Sequence, residues 1–278
     1  MDPRGLIAVV VGLVLLAFGG FYFALGLHSK DPLVPPAPTA TASGAAAPSA
    51  PSAPPSRPTP AMATSSSIET EIAQSEHAEL QALLKRNFNP EYNELIAVAV
   101  RRRNEGVSDS VFGQELNERF QEIMRGKLKH GAGASMPAID RLAANEASLF
   151  RVLGTEGSSL CLKMLGKDDA PAATTPESVR QLMRLGTLYR FQAIVEGQAN
   201  AKPSEVLTTD EMRAFEASVS REGLNFTDVS TGVFLDKAGI EPGKPCLALQ
   251  TLHLAIARLP EGTRRKIYAG MFFLERDK

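Results

Sequence analysis

Cys161 and Cys246 are the only cysteines in the chain, 85 residues apart. In an oxidising compartment an even count of two predicts a disulfide. Closing so long a loop would add roughly 3–5 kcal/mol in the chain-entropy picture, less any native strain. The alternative is two buried thiols acting as small apolar residues. Leu160, Leu162, Met164 and Leu165 surround one, and Leu247 and Leu249 follow the other.

A second arrangement of chemical groups falls on the segment after Pro245. Cys246, Gln250 and His253 are spaced i, i+4, i+7 and share one helix face. A Cys–His pair can make a thiolate nucleophile. Two turns separate this pair, about 10 Å along the axis, which is too far for a direct hydrogen bond. His253 also sits within Leu252-His-Leu-Ala-Ile256, where a core or interface histidine is the commoner outcome. The remaining histidines are His28, His77 and His130. None forms a metal-ligand spacing, so no metal site and no cofactor is expected.

No Gly-x-Ser-x-Gly elbow, phosphate loop or Gly-x-Gly-x-x-Gly occurs, and Gly154-Thr-Glu-Gly157 reads as a turn. Asp109, Glu115, Glu118 and Glu122 are dispersed along solvated faces. The basic triplets Arg101–Arg103 and Arg264–Lys266 also read as solvated faces. The first suits a helix C-terminus, whereas the second lies in an early turn where the helix dipole does not favour it. Asn225-Phe-Thr227 is a glycosylation acceptor that matters only in a eukaryotic lumen. No residue is assigned a catalytic role on these grounds. Beyond residue 64 the chain holds 27 basic and 29 acidic residues, which is no footprint for nucleic acid. Tryptophan is absent, which disfavours a sugar-stacking or single-strand platform.

The elements that must position these groups follow from composition. Gly5–Leu27 is a run of 23 residues without charge. As a helix it spans about 35 Å, enough to cross a membrane. The run exceeds the h-region of a signal peptide, and no Ala-x-Ala site follows at once. An uncleaved single-pass anchor is therefore expected. Flanking charge is nearly even, with Arg4 before and His28 and Lys30 after. Residues 1–4 are expected as a short cytoplasmic head, with everything beyond the anchor periplasmic or extracytoplasmic. Ala8/Gly12 and Gly20/Ala24 are small-xxx-small pairs that could admit a second helix.

Residues 28–64 read as a disordered tether. Asp31 to Thr64 holds ten prolines among 34 residues, the rest mostly Ala, Ser and Thr. Such a stretch has too little apolar bulk to offset ordering entropy. Its extended reach is about 100 Å.

From residue 65 to 278 apolar residues recur at helical spacing. The pattern predicts an all-α, multi-helix globular domain of about nine or ten helices. Ser66-Ser-Ile-Glu69 reads as a capping box opening a helix that runs to Asn87. Further helices are expected from Pro90, from Ser108 to a stop at Gly131, and from Pro137 to Leu153. Ser158 to Leu165 should be a short one. Lys167–Thr175 reads as a loop and candidate subdomain boundary. Helices should then open at Pro176, at the Thr208/Glu211 capping box, over Asp228–Ala238, and over Lys244–Arg258 and Glu261–Glu275. The stripe Val111/Phe112, Leu116, Phe120, Ile123/Met124 and Leu128 is a candidate self-association face.

The expectation is a non-enzymatic, membrane-anchored periplasmic module, held in the inner (plasma) membrane, that binds a protein partner or cell-envelope component. A long tether raises reach and local concentration, which a binding module uses directly. The alternative is an envelope hydrolase, cleaving peptidoglycan or peptides, with a catalytic carboxylate on the helical domain.

Overall fold

Thr64 opens the first helix of a computed structural model that describes residues 62–107, 115, 119, 120, 122, 123, 125–156, 158–164, 175–200, 205–231 and 243–274. The side chain of Thr64 accepts from the Ser67 N–H, and the Ser67 hydroxyl accepts from the Thr64 N–H at 2.9 Å. This capping box starts α1, Ser65–Ala73. The Ser66/Glu69 box is thereby corrected. The Glu69 carboxylate is engaged elsewhere, by Lys85 Nζ at 2.7 Å and the Tyr92 hydroxyl at 3.2 Å.

The single helix expected to Asn87 is broken as well, into α1 and α2, Ala78–Asn87. The Ser75 hydroxyl donates to the Ile72 carbonyl at 2.8 Å and accepts from the His77 N–H at 3.2 Å. A serine bonding locally offers the backbone a turn in place of continued helix. Next comes α3, Asn89–Asn104, with Pro90 in its first turn.

Asn104 closes on the start of the domain. The Ala63 N–H donates to Asn104 Oδ1 at 2.7 Å, and Asn104 Nδ2 donates to the Ala63 carbonyl at 3.0 Å. One side-chain amide thus satisfies both polar groups of one peptide residue. Ala63 also packs against the core. Ala63 and Thr64, expected in the tether, therefore belong to the helical domain.

The described residues 115, 119, 120, 122, 123 and 125–127 are helical, and a 3-10 helix, Leu128–Gly133, follows. Gly131 was expected to end a helix; instead it is buried inside this tight turn. The reason is close approach, since a Cβ on Gly131 would collide with the Phe272 ring. Phe120, Ile123 and Leu128 of the predicted stripe are buried in this chain's own core. Val111, Phe112, Leu116 and Met124 lie outside the described residues.

Then follow α4, Met136–Thr155, capped by Ser135, and α5, Ser158–Met164. α6, Glu177–Ala199, has Pro176 as its cap residue, one position before the first turn where it was expected. α7, Thr209–Arg221, opens on the predicted Thr208/Glu211 capping box. α8, Phe226–Thr231, starts before Asp228 because Asn225 Oδ1 accepts the N–H groups of Thr227 and Asp228, at 2.8 and 3.2 Å. α9, Lys244–Ala257, and α10, Glu261–Leu274, complete the set.

Among the described residues the fold is all-helical, with ten α-helices, one 3-10 helix and no strand. No described helix is long and apolar enough to cross a membrane. The predicted anchor (5–27), most of the tether, the 108–114 start of the Ser108 helix and nearly all of the 167–175 stretch lie outside the described residues.

One apolar core runs through all the helices. α4 packs between α6 and α9, and α7 lies on α9. Phe191 on α6 meets Phe88 edge-on at 6.0 Å and Phe120 at 5.2 Å, joining the N-terminal helices to that centre. Such aromatic pairs add to area burial. Where α6 crosses the 3-10 helix the backbones nearly touch. A Cβ on Gly197 would collide with the His130 carbonyl oxygen.

Candidate functional site

The helices α4, α6, α9 and α10 each contribute one polar side chain to a common point in the core. These are Glu146, Arg190, His253 and Tyr268, at 5, 9, 2 and 4% exposure. Arg190 Nη2 donates to Glu146 Oε1 at 2.7 Å. The second carboxylate oxygen, Oε2, lies 3.8 Å from His253 Nε2. The Tyr268 hydroxyl lies 3.5 Å from His253 Nδ1. The Phe150 and Tyr268 rings lie 5.7 and 6.3 Å from the imidazole, centre to centre.

The local sequence explains why these side chains point inward. On α4, Glu146 shares a face with Leu142, Leu149, Phe150 and Leu153, all buried. Its neighbour Asn145 is also buried and donates to the Leu182 carbonyl at 2.9 Å, tying α4 to α6. On α9, His253 lies among buried Leu249, Leu252 and Ile256. Nearby, the buried Ser218 hydroxyl of α7 donates to the Ala255 carbonyl at 2.8 Å.

Burial governs the proton affinities. It pushes the Glu146 carboxyl up, against the pull of the Arg190 charge. It lowers His253 to about 4, with the Arg190 charge adding to the effect. It raises the Tyr268 hydroxyl, with the Glu146 charge adding to the effect. At neutral pH the imidazole is thus uncharged, and its approach to the Glu146 carboxyl group is a polar contact of a neutral ring. A hydroxyl donating to Nδ1 leaves the ring hydrogen on Nε2, and Nε2 has no hydrogen-bond partner among the described residues. The pairing of Arg190 with Glu146 is the charge balance of the site.

A carboxyl with raised proton affinity beside an imidazole is the usual raw material of acid–base chemistry. Here all four groups are sealed by the surrounding helices. In this conformation the arrangement ties the four helices together.

The cysteines settle differently from the thiol chemistry considered above. Their Sγ atoms lie 2.06 Å apart, at disulfide distance, joining α5 to the first turn of α9. Both residues are fully buried. This pairing excludes the Cys246–His253 nucleophile, which the two-turn separation already disfavoured, because a bonded sulfur is no thiolate. His253 is the core histidine that its neighbours predicted. Gln250 is half-buried on the same helix.

His77 sits in the turn before α2, 3.7 Å from Glu76. Glu76 in turn pairs with Arg184 of α6. His130 lies half-buried in the 3-10 helix, and His28 lies outside the described residues. No group of three or more His, Cys, Asp or Glu among the described residues could hold a metal.

The triplet Arg264–Lys266 is corrected from a solvated face to a set of ties. Arg264 donates to Asp140 Oδ2 and to the Leu259 carbonyl, both at 3.0 Å. Arg265 donates to the Ala134 carbonyl at 2.8 Å, and Lys266 to Glu211 Oε2 at 3.0 Å. In the other triplet, Arg102 pairs with Glu105 and Glu115, and Arg103 with Glu71. Asn225 is exposed but spends its side-chain oxygen capping α8.

Sequence reasoning passed over Glu146, Arg190 and Tyr268. No motif joins three positions so far apart, and each is ordinary within its own helix. The one local signal was an acidic residue on the apolar face of α4. Compared with protein-family models, curated proteins and solved structures, the chain matches none of them.

Proposed function

We propose that this chain is a non-enzymatic helical module, held in the inner (plasma) membrane by residues 5–27. On this reading its domain stands in the periplasm or an equivalent extracytoplasmic space and binds a protein partner or cell-envelope component. The observation that carries the reading is the sealing of the Glu146–Arg190–His253–Tyr268 cluster. The groups best suited to acid–base work serve as a buried tie between four helices. The Cys161–Cys246 pair supports the compartment, because disulfides persist where thiols are not kept reduced. The tether would give such a module reach and a high local concentration at the membrane.

The competing reading is an envelope hydrolase using Glu146 as its carboxylate. The two are separated by one experiment on purified full-length protein in detergent. The module reading expects co-sedimentation with envelope fractions and no turnover of peptidoglycan or peptide substrates. Turnover that disappears in Glu146→Gln, with the fold intact by circular dichroism, would establish the hydrolase instead.

A further inference from the structure

α9 is apolar on every side, yet one side is open to solvent. From Cys246 to Ala257 it holds no charged residue. A helix of that composition is ordinarily covered all round. α4, α5 and α7 pack against it. The remaining side carries Leu247, Thr251 and Leu254, spaced i, i+4 and i+7. Leu254 is 44% exposed. Met62 and Val206, the other large apolar side chains so exposed among the described residues, lie outside helices.

α4 extends this surface. A Cβ on Gly154 would fall 2.5 Å from Leu247 Cγ, and Phe150, one turn earlier, meets His253. The two helices therefore run antiparallel, with their outer sides adjoining. α4 adds Ala144 and Arg151, both exposed, and Ala147 and Ser148, both half-buried. Side chains this short let an added helix pack closely.

The unanswered charges around this face are of one sign. Arg141 and Arg151 meet no carboxylate among the described residues, and Arg141 lies over the Tyr189 ring at 5.6 Å. The two stand about 15 Å apart along α4. The carboxylates of α4 are engaged, Asp140 by Arg264 and Glu146 by Arg190. Glu156, its cap residue, is turned to Ser178 of α6. α9 has no acidic residue, and Arg258 at its end is held by Glu222.

We propose, on the binding-module reading, that the outer face of α4 and α9 docks one amphipathic helix of a partner protein, apolar along its contact stripe and flanked by carboxylates. A second copy fits worse, because a two-fold pairing needs a face that complements itself. This one would set arginine against arginine with no carboxylate to answer either. The chain's own tether brings a single acidic residue, Asp31, to two arginines. A bilayer would find one exposed leucine among alanines and a serine, which is little apolar depth to hold. An acidic helix covers the apolar side and answers both charges.

The test is photo-crosslinking of the full-length protein in the membranes of its own cells, with p-benzoylphenylalanine at position 254 and, as sentinels, at the exposed positions 86 and 213. The probe at 254 should join to a protein whose cross-linked peptide, sequenced by mass spectrometry, reads as a helix with carboxylates on both flanks of an apolar stripe. The yield should fall at least about fivefold in Arg141→Glu with Arg151→Glu, with the fold checked by circular dichroism. In isolated membranes of the unaltered protein it should also fall as salt rises from about 0.05 to 0.5 M. Joining at 86 or 213 but not at 254 would overturn this surface and leave the binding-module reading standing, and joining at no position would remove both. Joining to lipid, to the chain itself or to a second copy would overturn the docking surface. So would a yield indifferent to the arginine change and to salt.

Discussion

Arg190 Nη2 and Glu146 Oε1 meet at 2.7 Å across the interface of α6 and α4, where both side chains are almost fully removed from water. Each charge exists in that place only because of the other. Removing one member of a buried pair leaves the second with its full desolvation cost. Glu146→Ala should therefore lose about 3–5 kcal/mol of unfolding free energy in a urea titration. The double replacement Glu146→Leu with Arg190→Met should recover much of that loss. A double variant as unstable as the single one would mean that the pair has no such coupling.

His253 contributes to the pH dependence of global stability. The unfolded chain binds a proton there near 6.5 and the folded chain only near 4. Between those values the unfolded state carries more protons, so stability rises with pH and falls on acidification. From pH 7 to pH 5 the loss through this group is about 2 kcal/mol. Glu146 offsets part of it. Urea titrations at both pH values should show a smaller loss in His253→Gln than in the unaltered protein.

The disulfide closes an 85-residue separation between buried positions. Cys161→Ala with Cys246→Ala should cost about 3–5 kcal/mol in thermal or chemical melts. Unfolded, non-reduced protein should take up no alkylating reagent, and two labels should appear after reduction. Two labels without reductant would contradict the pairing.

Two glycines should respond with opposite signs. Gly197→Ala drives a methyl group into the His130 carbonyl and should destabilise by about 3 kcal/mol. Gly270→Ala meets nothing within 4 Å in the interior of α10 and should gain about 0.5–1 kcal/mol from helix propensity. Paired melts of the two variants measure both.

The capping assignment is equally open to test. Thr64→Ala and Thr208→Ala should each cost about 1 kcal/mol, because each removes the acceptor for an N-terminal N–H. Ser66→Ala, at an exposed position inside α1, should change stability by less than about 0.5 kcal/mol.

Local rules carried the sequence reading a long way. The Thr208/Glu211 box, Pro90 in a first turn and the periodic apolar faces of α4, α6, α9 and α10 follow from pattern and cap chemistry alone. The partnership of the two cysteines was the favoured of two readings their even count left open, and their sulfurs lie at disulfide distance. Some failures were local, such as the break at Ser75 and the early start of α8 at Asn225, but three share one cause, which is competition from a distant residue. Glu69 had the right spacing to cap with Ser66 but is drawn away by Lys85 and Tyr92. Arg264, Arg265 and Lys266 looked solvated because Asp140, Ala134 and Glu211, which receive them, lie far off in the chain. The buried cluster was illegible for the same reason. Its four members come from four helices, and only packing brings them within reach.

The reciprocal pair between Ala63 and Asn104 also has a mechanical meaning. Tension applied along the chain at Met62 is delivered through two parallel hydrogen bonds to the end of α3 before it can peel α1 from the core. The load is spread across bonds that must break together, which resists pulling better than bonds that open one at a time. A tug on this end is therefore borne first by one asparagine amide.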